Sequence, residues 1–123
     1  MILNLTRIEI SVLLLHMTIS RKNIKKGFKR NYTGEHKEMM AIFDEIKKGL
    51  ENSVMNDSEN EVFHHNIREI NMIYYYLDWY IARLDETLKK AAKLANKSVL
   101  DEDMKQLDCL QAIQHKVERL KFA

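Results

Sequence analysis

Ten apolar residues follow one another through the middle of this 123-residue chain at alternating steps of four and three: Phe63, Ile67, Ile70, Tyr74, Leu77, Ile81, Leu84, Leu88, Ala91 and Ala95. That spacing keeps one face of an α-helix apolar, and its 3.5-residue mean is the period of left-handed helix–helix packing. At 1.5 Å rise per residue the stripe is roughly 50 Å long, several times the usual helix. The expectation is an all-α protein: a four-helix bundle with one long central helix at about residues 59–96 and an antiparallel C-terminal hairpin.

The breaker residues agree. The chain contains no proline, and its three glycines, Gly27, Gly34 and Gly49, all lie in the first 49 residues. A strand-rich or loop-rich protein could hardly do without both residues over so long a stretch. The length fits one helical domain over residues 1–123. A lone cysteine, Cys109, allows no internal disulfide and sits in an amphipathic stretch, where an ordinary buried or half-buried thiol is expected rather than a nucleophile. Residues 10–19 are apolar-rich but interrupted by His16. They are too few for a membrane span, and no cleavage site follows, so neither a signal peptide nor a transmembrane segment is expected. The expected location is the cytoplasm.

Local signals place the elements. Thr6 and Glu9 have the spacing of a capping box, with Leu5 and Ile10 placed to clamp it from outside. Helix one is therefore predicted over 7–20, apolar on most sides and wedged between neighbours, after an extended lead-in at 1–4. Helix two is predicted from 33 or 34 to 52, with Met39, Ile42, Phe43, Ile46 and Leu50 as its inner face. Turn chemistry fills 52–60, and Ser58 with Glu61 offers a second capping box to open helix three. Ser98 with Asp101 would open helix four, whose inner face is Leu100, Met104, Leu107, Leu110, Ile113, Val117 and Leu120. The short turn before it makes helices three and four an antiparallel hairpin.

Four groups of residues are candidates for function. Met72, Tyr75 and Trp79 project from helix three on the side opposite the stripe, an aromatic island on an otherwise charged face. Either another helix of the chain covers them or a second protein docks there. Asp78, among these aromatics, could be a perturbed carboxylate. Arg21, Lys22, Lys25, Lys26, Lys29 and Arg30 make a run of six positive charges without an acid, in a chain whose net charge is only +2. The remainder is therefore net negative. The run is either a solvated connector, as charge runs usually are, or a candidate anion-binding segment for nucleic acid, anionic lipid or an acidic partner, with Ile24 and Phe28 as a weak apolar edge.

Metal binding has little behind it. Glu61 and His64 have the Glu-x-x-His spacing of di-metal bundles, but helix four offers only His115 and Glu118, in reversed order, and the other histidines (His16, His36, His65) are scattered. Neither a metal nor a cofactor is expected. Finally, Arg30-Asn31-Tyr32-Thr33-Gly34-Glu35-His36 resembles in spacing the arginine–histidine signature of HEPN-type ribonucleases, which are also small helical bundles. The resemblance covers seven residues across a Thr-Gly helix boundary; it implies action on an RNA phosphodiester by Arg30 and His36.

The leading expectation is a non-catalytic protein–protein interaction module that self-associates as a homodimer through helix three or its aromatic island, or binds another protein. The alternative is a nucleic-acid-associated protein using 21–30; an RNA-directed or metal-dependent enzyme comes third. The Lys-, Asn- and Ile-rich composition is of the kind found in AT-rich bacterial or phage genomes.

Overall fold

A computed structural model describes residues 1–56, 58–94 and 97–122 of the chain, with side chains from residue 100 in the last of these segments. The elements in order are β1 (Ile2–Thr6), α1 (Arg7–Asn31), α2 (His36–Val54), β2 (Asn60–His64), α3 (Ile67–Ala92) and α4 (Lys97–Lys121). The molecule is a helical bundle with one small ribbon, β1 paired antiparallel to β2. None of the described helices is long and apolar enough to cross a membrane.

The opening of α1 follows its sequence signal. Thr6 Oγ1 accepts from the Glu9 amide at 3.1 Å, and Glu9 Oε1 accepts from the Thr6 amide at 2.9 Å, closing the capping box. Its end does not. The helix continues eleven residues past Ser20 to Asn31, so the basic run is helical rather than a connector. The reason is that Ile24 and Phe28 keep the inward-facing period going and only Gly27 interrupts it; Ile24 is buried and Phe28 half-buried against the core. Nor is α1 wedged on all sides, because Ile8, Leu15 and Ile19 remain exposed. His36–Val54 matches the predicted second helix to within two or three residues.

The long stripe is shorter than its sequence pattern. Helix α3 begins at Ile67, and Phe63 belongs to β2. Asn66 caps α3, accepting from the Glu69 amide at 2.9 Å while Glu69 Oε1 accepts from the Asn66 amide at 3.0 Å. This box displaces the one expected from Ser58 and Glu61, because Glu61 is drawn into the ribbon opposite Leu5. Strand β1 carries alternating Leu3 and Leu5, both buried, and needs a partner for its backbone; Val62 and Phe63 supply a segment of high β-propensity. The Phe63 ring then stacks on His65, nearly parallel at 5.9 Å between centroids. At the other end α3 stops at Ala92, and Ala95 lies outside the described residues, as does the capping side chain expected of Ser98.

Within α3 the stripe does face a core. Ile70, Leu77, Ile81 and Leu88 are buried and Tyr74 and Leu84 half-buried, while Ile67 at the helix start is exposed. The α3–α4 hairpin is antiparallel: the Tyr74 ring meets Phe122 edge-on at 5.6 Å, so the end of α4 returns to the first third of α3. Leu107, Leu110, Ile113 and Val117 are the buried face of α4; Met104, expected with them, is exposed. Helices α1 and α2 form the second hairpin, fastened outside the core by Arg21, whose Nε and Nη2 each donate to an Asp44 carboxylate oxygen at 2.8 Å. The four helices pack in a ring, α1 on α2, α2 on α3, α3 on α4 and α4 on α1.

Candidate binding groove

The extension of α1 past Ser20 creates a concavity between α1, α2 and α3. The second half of α1 contributes Ile24, Gly27 and Phe28, the start of α2 contributes Met39 and Ile42, and α3 contributes Met72, Tyr75, Tyr76 and Trp79. Together they enclose a groove of about 540 Å³, within the range of ligand and side-chain docking sites. Gly27 has a specific part in it. An ideal Cβ at this position would meet nothing within 4 Å, so the missing side chain widens the groove instead of relieving a clash.

The predicted island is split by this geometry. Met72 is buried in the core and forms part of the groove floor, whereas Tyr75 is 61 % exposed and Trp79 half-buried on the groove wall. The Arg83 guanidinium lies 4.6 Å from the centroid of the Trp79 ring and covers part of it. Polar groups stand along the rim. Arg68 donates to Glu38 of α2, Asp78 is exposed, and Glu35 stands at the start of α2.

Behind the groove lies a polar network absent from any sequence expectation. His16 Nδ1 is 2.6 Å from the Tyr80 hydroxyl and Nε2 is 2.7 Å from Gln106 Oε1. The Gln106 amide oxygen can only accept, so Nε2–H donates to it, and Nδ1 shares a hydrogen bond with the Tyr80 hydroxyl. One turn along α1, Ser20 Oγ donates to the His16 carbonyl at 2.6 Å and lies 2.9 Å from the Tyr76 hydroxyl. The Tyr76 and Tyr80 rings stack at 5.4 Å. Burial pushes both phenols above their ordinary value, the Ser20 hydrogen bond offsetting part of the effect at Tyr76. Both hydroxyls therefore stay protonated and fully occupied with neighbours. Tyr76 also lines the groove and is the residue through which the network reaches it.

These residues carried a readable signal. Ile73, Tyr76 and Tyr80 recur at steps of three and four, a second apolar stripe beside the first, and His16 sits within an apolar run. That the two would meet was not readable, since 64 residues separate His16 from Tyr80.

The remaining candidates are dispersed. Lys22, Lys25, Lys26, Lys29 and Arg30 are exposed on α1, but Arg21 is committed to Asp44, which holds that carboxyl below the usual carboxylate range. Arg21 is thus removed from the anion-binding set. Arg30 lies in the last turn of α1 and His36 opens α2, where its Nδ1 meets the Thr33 carbonyl at 2.9 Å; no hydrogen bond between the two is seen among the described residues. Glu61 and His64 lie three apart on a strand, an odd separation that points them to opposite faces of the ribbon. His115 and Glu118 form an exposed pair at 3.5 Å on α4. No group of three or more His, Cys, Asp or Glu among the described residues could hold a metal ion. The Cys109 thiol is half-buried, and burial with nearby Glu9 pushes it up, away from the reactive thiolate.

No protein family, curated protein or solved structure matches this chain.

Proposed function

We propose that this chain is a non-catalytic, cytoplasmic protein–protein interaction module that associates with a second copy through the groove between α1, α2 and α3. The observation that carries this reading is the composition of the groove wall. Exposed Tyr75, half-buried Trp79 and Phe28, and the thioether of Met39 line one concavity, which is the chemistry of interface anchors rather than of solvated surface. The surface area points the same way. The chain exposes 8039 Å², against roughly 6,900 Å² for a compact monomer of 14.6 kDa. The excess is of the order a standard interface takes from each partner, about 800 Å².

The test is solution mass by light scattering at the highest soluble concentration. A dimer of twice 14.6 kDa is expected. Two variants place the contact. Tyr75→Ser removes an exposed ring, and Gly27→Trp fills the groove from a helix position with open space around it. Each should shift the mass to monomer with helical circular dichroism retained. A wild-type monomer overturns the self-association, and a dimer untouched by both variants moves the contact elsewhere.

A further inference from the structure

The outward face of α1 is divided along its length in a way the groove does not explain. At 100° per residue, Ile8, Leu15, Ile19, Lys22, Lys25, Lys26 and Lys29 fall within one arc of about 120°. The face runs roughly 32 Å from Ile8 to Lys29 at 1.5 Å per residue. Its first half is apolar and open, with Ile8 72 %, Leu15 45 % and Ile19 62 % exposed. Its second half is a block of four exposed lysines, none of which enters an ion pair with the described residues. The other residues on this arc of α1 are Arg7 at its start, Ser11 and Thr18. The acid of the first turn, Glu9, is buried on the other side of the helix, where it pairs with Lys116, and Asp44 is turned to Arg21.

We propose that this face docks on an anionic lipid surface, Ile8, Leu15 and Ile19 entering the headgroup boundary while Lys22, Lys25, Lys26 and Lys29 lie against the lipid phosphates. Each half of the face then meets a chemistry that rewards it. Apolar side chains leave water for the acyl boundary, and lysines, compact and mobile charges, suit a diffuse layer of anionic headgroups. Nucleic acid would satisfy only the second half. A phosphate backbone offers nothing to Ile8 or Ile19, and the basic face has no aromatic ring for base stacking, since Phe28 is turned into the groove. A second copy is disfavoured as well, because pairing like faces in parallel would set four lysines against four, and in antiparallel would bury the lysines on the apolar half.

The experiment is co-sedimentation of the full chain with vesicles of pure phosphatidylcholine and of phosphatidylcholine containing one third phosphatidylserine. Duplex DNA and single-stranded RNA are measured in parallel by anisotropy at the same salt. Binding is expected on the anionic vesicles and not on the neutral ones. Replacing Lys22, Lys25, Lys26 and Lys29 by glutamine should weaken it by at least about tenfold. Ile8→Ser with Ile19→Ser should weaken it at unchanged charge, and more visibly at raised salt, where the electrostatic part is screened. All six positions are exposed, so helical circular dichroism should be that of the wild type; Lys22→Gln with Lys29→Gln alone carries the same prediction at smaller amplitude. Equal binding to both vesicle types overturns the proposal, as does no binding to either. Indifference to the Ile8 and Ile19 changes, or tighter binding to DNA or RNA than to the anionic vesicles, also overturns it.

Discussion

Tyr76 and Tyr80 tie the interior of the bundle to the back of the groove through hydroxyls whose ionisation is disfavoured by burial. Folding raises both phenols above the ordinary value of about 10, chiefly by burial, so the unfolded chain surrenders these protons first. Their contribution to stability is therefore complete below pH about 10 and is lost as the pH climbs above it. An alkaline titration followed at once by phenolate absorbance and circular dichroism should show two of the five tyrosines ionising only as helix is lost. All five ionising with the helices intact would show that the network is open to water. The network also marks where reading by residue reaches its limit. His16 is visible in the sequence as a polar interruption of an apolar run, but its partners Tyr80 and Gln106 stand 64 and 90 positions away. Local periodicity carries no information about such pairs.

Among the elements, α3 shows how far a stripe can be trusted. The 3.5-residue pattern continues through Phe63, yet the helix begins at Ile67, because a sequence can carry two capping boxes and only one can be used. Ser58 with Glu61 and Asn66 with Glu69 are locally equivalent. The choice between them is made by β1, whose unpaired backbone captures residues 60–64. The basic half of α1 was illegible for a related reason: six like charges read as a solvated connector, while buried Ile24 and half-buried Phe28 are enough to hold the helix on the core. Depth along the stripe is equally graded, and mutation should report it. Leu77 is fully buried, so Leu77→Ala should cost about 2–5 kcal/mol in urea unfolding. Leu84→Ala, at a half-buried position, should cost clearly less, and Ile67→Ala at an exposed one less than about 0.5 kcal/mol. Equal effects at all three positions would mean that the order of burial along α3 is wrong.

At the scale of the whole molecule, the four helices and the α3–α4 hairpin were legible because they follow from period and short connections, whereas the ribbon joins segments about sixty residues apart and follows from neither. Its cost and its use meet at Glu9. This buried carboxylate closes the α1 capping box through Thr6 and, at 2.6 Å, receives Lys116 Nζ from α4. The same ammonium donates to the Asn4 carbonyl of β1 at 3.1 Å. One lysine thus fastens the last helix to the first helix and the first strand, closing the ring of helices at the contact of α4 with α1. Lys116→Ala should destabilise the fold by about 1.5–3 kcal/mol, the range for a hydrogen bond to a charged group, since it leaves the Glu9 carboxylate buried without its cation. Glu9→Gln keeps an oxygen for the Thr6 amide and removes the charge, so the loss of Lys116 should matter less in its presence. A double-mutant cycle in urea measures this directly: the pair should be less destabilising than the sum of the single changes by about 1 kcal/mol. Strict additivity would mean that Lys116 and Glu9 do not act on one another, and that apolar packing of Leu110, Ile113 and Val117 holds α4 in place alone.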